Sequence, residues 1–180
     1  MKSHNGTHIA INGNTLTNFI NLTDEQHKIV LSMRNDTSIL KWMYGRHIIK
    51  LSEHLKFIKK LKNDKSNHYW LVRDSSGNYI GVISINKLHT ENKNAYLGIY
   101  TNPSIKIKGL GHVLIDCLKY LAFIEFKLHT LKLEVFENNE RAIKFYERNG
   151  FIREGLLKEF VYNNKSWINV VVMGITNENS

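Results

Sequence analysis

The sequence has very little of the residues that staple or break a small fold: one cysteine, Cys117, and one proline, Pro103. A lone cysteine forms no internal disulfide and excludes a cysteine-based zinc site, and it fits a reducing compartment. No apolar run approaches the roughly 20 residues that a membrane-spanning helix needs. Met1 to Gly13 has neither the hydrophobic core of a signal peptide nor the Arg-rich pattern of a transit peptide. The chain therefore reads as cytoplasmic, with no membrane partner. Repeats at periods of about 20 to 50 residues are missing too, as are Pro-, Gly- or Ser-rich linkers. The 180 residues thus read as one domain over residues 14–176, with Met1 to Gly13 an extension on which nothing imposes order.

What is present is ordinary globular composition with an excess of one charge. Lysine and arginine outnumber aspartate and glutamate 25 to 16, a net charge of +9, which attracts anions over a Debye length of about 8 to 10 Å. The lysines are scattered, with short pairs such as Lys59-Lys60, so no dense basic block tracks a nucleic-acid backbone. Small polyanions account for the sign equally well, as does a generally basic proteome.

Thr15 to Asn21 reads as a short strand, and Thr23 with Gln26 three residues on is a capping box for a helix to about Arg34. Leu51, Leu55, Ile58 and Leu61 repeat at helical spacing and set a second helix near Ser52. Tyr69-Trp70-Leu71-Val72 and Tyr79 to Ile85 flank the turn residues Asp74 to Asn78 as a hairpin, and a third strand, Asn94 to Thr101, stops at Pro103. Gly109 to Phe126 carries Leu110, Val113, Leu114, Cys117, Leu118, Leu121 and Ile124 on one helical face. Leu131, Leu133 and Val135 then alternate with Lys132, Glu134 and Phe136 in a strand that should lie parallel to the third. A helix from Asn139 to Arg148, capped by Asn149-Gly150, and two strands around Asn163-Asn164 finish the chain.

Lys106-Ile107-Lys108-Gly109-Leu110-Gly111 falls where a strand hands over to a helix. Backbone N–H groups at a helix start, with the positive dipole end behind them, form an anion site that glycine lets a phosphate approach. The loop is neither a Walker loop nor a Gly-x-Gly-x-x-Gly turn, since His112 to Leu114 supply no third glycine.

Lys106-x-x-Gly109-x-Gly111 resembles the (Gln/Arg)-x-x-Gly-x-(Gly/Ala) loop of GNAT acetyltransferases. Asn139-Glu-Arg-Ala142-Ile-Lys-Phe145-Tyr146 with Gly150-Phe151 is similar to that family's Asn-x-x-Ala-x-x-x-Tyr helix. The one departure is Lys106 where Gln or Arg is usual. The resemblance implies an α+β GNAT fold, with a central mixed, mostly antiparallel seven-stranded sheet flanked by about four helices. It implies acetyl-CoA as co-substrate and no metal. Lys106, Ile107, Lys108, Gly109, Leu110, Gly111 and Asn139 would bind it, with the backbone of Leu97 and Ile99 on a bulged strand.

The family's reaction is direct attack of an amine on a thioester, which needs a base, oxyanion donors and an acid. Tyr146 suits the acid, a phenol near pKa 10 donating to a thiolate near about 8.5; packing on an amphipathic face is the alternative. Glu134, opposite in parity to Leu131, Leu133 and Val135, suits the base acting through a water; a solvated carboxylate or one paired with Lys132 is the alternative.

Arg34-Asn35, Leu40 to Tyr44, His54-Leu55-x-Phe57-Ile58 and Tyr96 to Tyr100 resemble one branch of the family. Its members acetylate the 4-amino group of a UDP-linked 4-amino-4,6-dideoxy-N-acetyl-altrosamine in pseudaminic acid biosynthesis, for flagellin glycosylation. On that resemblance Trp42, Met43, Tyr44, Phe57 and Tyr96 would meet the nucleotide-sugar's apolar faces, and Arg34, His54 and Lys87 its diphosphate. Trp42 and Met43 as core, and His54 as a surface residue, are the alternatives. A homodimer is allowed, and no nucleic-acid partner is expected. Two other readings stand beside this one, a peptide N-terminal acetyltransferase and a non-catalytic nucleotide or RNA-binding module.

Overall fold

The computed structural model describes residues 8–163 and 165–178. Eight strands form one sheet: β1 (His8–Ile11), β2 (Asn14–Asn18), β3 (His68–Arg73), β4 (Tyr79–His89), β5 (Asn94–Thr101), β6 (Thr130–Phe136), β7 (Ile152–Asn163) and β8 (Ser166–Thr176). Their order is β1-β2-β3-β4-β5-β6-β8-β7. All neighbours are antiparallel except β5 and β6, which are parallel as the crossover between them requires. The eighth strand is β1, paired with β2 from His8↔Thr17 to Ile11↔Asn14. The sheet thus begins before residue 14, and residues 1–7 of the extension lie outside the described residues. Asn164, half of the expected final turn, also lies outside them.

Helices cover both faces. α1 (Asp24–Asn35), the single turn α2 (Thr37–Leu40) and α3 (Leu51–Leu61) precede β3, while α4 (Leu110–Tyr120) and α5 (Glu140–Arg148) follow β5 and β6. The capping box forms with both its bonds: the Thr23 hydroxyl accepts from the Gln26 N–H, and the Gln26 side chain accepts from the Thr23 N–H. Strand alternation divides the core. Ile83, Ile85, Leu131 and Leu133 face α4 and α5, and Leu71, Val82 and Tyr100 face α1 and α3.

Two helices depart from the sequence reading for physical reasons. In α3 the buried residues are His54, Ile58 and Leu61, while Leu51 and Leu55 are exposed. A polar partner inside the core, described below, rotates the buried stripe onto His54. The helix expected to reach Phe126 is α-helical only to Tyr120, and Leu121–Glu125 form a π-helical turn closed by the Phe126 N–H on the Leu121 carbonyl. The extra residue in that turn carries Ile124 off the buried stripe into solvent, whereas Leu114, Leu118 and Leu121 stay fully buried. Among the described residues no helix is long and apolar enough to cross a membrane.

Candidate active site

The loop before α4 is built as an anion cradle. Gly109 is the N-cap, with φ 88° in the left-handed region that only glycine adopts freely. A Cβ placed there meets nothing within 4 Å, so the space in front of the loop is open. No side chain caps α4 and no acidic residue sits in its first turn, leaving the Leu110 and Gly111 N–H groups to face outward. Gly111 is needed for a different reason: a Cβ would lie 3.1 Å from the Phe145 ring of α5. Ile107 is exposed, as are Lys106 and Lys108. The Lys106 ammonium donates to the Pro103 carbonyl at 2.9 Å, stiffening the loop by a bond that needs no ligand.

Beside the cradle the sheet opens. β5 pairs with β6 only from Asn94↔Thr130 to Tyr96↔Lys132. Beyond Tyr96 the β6-facing edge of β5, with Leu97 and Ile99, has no strand partner among the described residues. The bulge expected on β5 is not there: β4 and β5 stay in register from Gly81↔Thr101 to Asn86↔Tyr96. The irregularity lies in β4 between Asn86 and His89, where Lys87 takes φ 51°. That extra residue re-aims Lys87 across the sheet.

Lys87 thereby joins a cluster on the α1/α3 face. Its ammonium lies 4.6 Å from the Tyr96 ring centre and 3.7 Å from Glu134 Oε1. The Tyr44 hydroxyl donates to Glu134 Oε2 at 2.5 Å. Partial burial, and then this bond to the carboxylate, hold the Tyr44 phenol above its ordinary pKa. The Tyr44 ring stacks on Phe136 at 5.6 Å and meets the edge of Phe160 at 6.4 Å, and Arg46 lies over Phe136. Lys132 is not the partner of Glu134; it pairs with Glu154 at 2.6 Å. Sequence reasoning missed Phe136, Phe160 and Arg46. Parity with Glu134 marks Phe136, whereas nothing local marks the other two.

On the opposite helical layer Tyr146 of α5 is buried against Phe145 and Phe151. No group of the described chain bonds its hydroxyl, and burial raises its pKa well above the ordinary value. It therefore keeps its proton. Asn139 caps α5, its side-chain carbonyl accepting from the Ala142 N–H at 3.3 Å, and Gly150 ends the helix with φ 84°.

The remaining acceptor-side residues divide. Met43 is half-buried on the arm between α2 and α3, Phe57 lies edge-on to Tyr69 at 5.2 Å, and exposed Trp42 carries the Lys41 ammonium over its ring. Arg34 donates from Nη2 to the Gly45 carbonyl at 2.9 Å, with Nη1 buried and unpartnered. His54 is a correction. It is 6% exposed and shares a 3.0 Å hydrogen bond with His27 between α1 and α3. Burial, then the nearby His27, lower its pKa to about 4, so it is a neutral core residue with no charge for a diphosphate. Among the described residues no cluster of three or more His, Cys, Asp or Glu forms a metal site.

Residues 35–151 match the acetyltransferase (GNAT) family. The acetyltransferase PseH of Campylobacter jejuni is 36% identical over 147 residues, 82% of this chain and 90% of its own. The crystal structure of Campylobacter jejuni N-acetyltransferase PseH in complex with acetyl coenzyme A is 27% identical, with TM-score 0.70 over 92% of this chain and 99% of that one. Spermidine N-acetyltransferase from Vibrio cholerae in complex with CoA and spermine superposes with TM-score 0.83 over 92% of this chain and 96% of that one, at 23% identity, a likeness of fold.

Proposed function

The chain belongs to the GNAT family of acetyltransferases, and on that premise we propose that it acetylates the 4-amino group of a UDP-linked 4-amino-4,6-dideoxy-N-acetyl-altrosamine. It is an acetyl-CoA-dependent N-acetyltransferase; the acceptor is the proposed part, and with it a cytoplasmic place in pseudaminic acid biosynthesis.

One observation carries the acceptor: the charge on its side of the sheet. Lys87 sits on Glu134 and Tyr96, Arg46 on Phe136, Arg34 on Gly45 and Lys41 on Trp42. Lys87 beside Glu134 and Tyr96, with Arg46 and the exposed Tyr44 and Phe160 rings grouped about Phe136 and further cations at Arg34 and Lys41 on the arm, suits an anionic acceptor with flat apolar faces. A polyamine acceptor needs acidic lining instead.

The residues divide the chemistry. The Leu110 and Gly111 N–H groups and the charges of Lys106 and Lys108 hold the pyrophosphate of acetyl-CoA. Glu134 takes the proton of the acceptor ammonium, through a water, and frees the nitrogen lone pair for the thioester carbon. The free edge of β5 at Leu97 and Ile99 offers N–H donors to the carbonyl oxygen as charge develops there. As the carbon–sulfur bond breaks, Tyr146 donates its proton toward the departing sulfur, and the second proton that the nitrogen loses as the amide forms restores the Tyr146 hydroxyl through solvent. Asn139 supports this arrangement by fixing the start of the helix that carries Tyr146.

Release of free CoA thiol, measured with the UDP-amino sugar, spermidine, peptides with free N-termini and simple amines, tests the acceptor. Turnover with the sugar at least about a hundredfold above the others is expected; turnover confined to spermidine or peptides overturns the acceptor. A Gly109→Ala substitution is expected to raise KM for acetyl-CoA several-fold and to cost about 1 kcal/mol of stability, since open space leaves only the left-handed backbone penalty. Acetyl-CoA titration and a thermal melt read the two effects.

A further inference from the structure

The arm that carries Tyr44 is clamped at several points. Asn35 holds Ile49 from both sides, its Nδ2 donating to the Ile49 carbonyl and its Oδ1 accepting from the Ile49 N–H, each at 2.9 Å. Arg34 holds the carbonyl of Gly45, the residue after Tyr44. These two clamps come from the last turn of α1, which the capping box and the sheet fix in place. Past them, Tyr44 lies between Phe136 and Phe160 and ends on Glu134.

Phenylalanine would fill that stack as well as tyrosine does. What the hydroxyl adds is the bond to Glu134 Oε2. On the other oxygen, Lys87 stands at 3.7 Å with its side chain 68% exposed, a loose ion pair of the kind that constrains a carboxylate little. The short bond from Tyr44 therefore sets the carboxylate's orientation, and each oxygen keeps a lone pair for another proton.

We propose that Tyr44 is a positioning residue for Glu134, delivered by an arm that Arg34 and Asn35 hold rigid, so that the carboxylate faces the acceptor amine before the acceptor arrives. The proposal rests on Glu134 being the base. It replaces the expected part of Tyr44 against the acceptor's apolar faces with a part in holding the base.

Tyr44→Phe keeps the ring stack, so the protein folds and KM for acetyl-CoA holds. Its kcat falls roughly tenfold, since a base no longer aimed costs rate and not ground-state binding. Asn35→Ala speeds hydrogen exchange at the Ile49 amide, whose N–H it holds, and reproduces part of the kinetic change. Wild-type kcat in Tyr44→Phe, with Glu134→Gln inactive, overturns positioning and leaves the base in place. A change confined to KM for the acceptor overturns it as well, making Tyr44 a simple acceptor contact. Wild-type rates at every pH in Glu134→Gln instead remove the base itself.

Discussion

Tyr146→Phe is expected to lower kcat by about a hundredfold or more while stability stays within about 1 kcal/mol of wild type. The ring packs against Phe145 and Phe151 in the α4/α5 core, and phenylalanine keeps both contacts. The hydroxyl has no partner in the described chain, so its loss breaks no internal hydrogen bond. A tyrosine needed only for packing would show no kinetic effect from this change. A proton donor to the leaving thiolate would show all of it in kcat, with KM for acetyl-CoA within about twofold. Steady-state kinetics and a urea titration on the same preparation separate the cases. Unchanged kcat makes water the acid; a fall in stability that tracks the fall in activity makes the role structural.

The features legible in the sequence are local ones. Thr23 and Gln26 announce α1 because a capping box is closed by residues three apart. Gly109 and Gly111 announce the cradle, although the structure gives them separate duties, one a left-handed turn and the other a close approach to Phe145. Glu134 is placed on the correct face by parity alone. What the sequence hid depends on distant partners. The bond between Tyr44 and Glu134 joins residues 90 apart, and the stack with Phe160 brings in β7 from further still. The π-helical turn at Leu121–Glu125 leaves no mark either, since Leu121 and Ile124 suit an unbroken α-helix equally well.

His54 shows how a resemblance misplaces a side chain. It stands beside Phe57 in the segment that resembles the acceptor-binding branch, and a histidine near a diphosphate is chemically sensible. Yet on α3, where residues three apart are neighbours, His54 turns inward against Phe19 and His27 and is buried, while Phe57 sits further out, exposed and edge-on to Tyr69. Only the position of α1 makes that burial tolerable, because His27 offers a ring nitrogen at 3.0 Å. An unpaired imidazole there would be a desolvated polar group with nothing to offset it.

That pair makes the acceptor-side helices sensitive to acid. One ring nitrogen donates and the other accepts, so the bond exists only while at least one ring is neutral, and burial keeps both pKa values below 6.5. His54 binds its proton near pH 6.5 when unfolded and only near about 4 when folded, so between these values the unfolded chain holds more protons. Stability therefore rises with pH across that window; it is fully present above about 6.5 and is lost as pH falls toward 4. The contribution is about 3 kcal/mol, a large part of the margin of an ordinary domain. Asp24, which acts on His27 in the opposite direction, offsets a little of it. His54→Gln keeps a hydrogen-bonding group toward His27 but cannot titrate. Its urea midpoint is expected to fall less than half as steeply as the wild type's between pH 6.5 and 4. Parallel curves for the two proteins would place the acid sensitivity elsewhere.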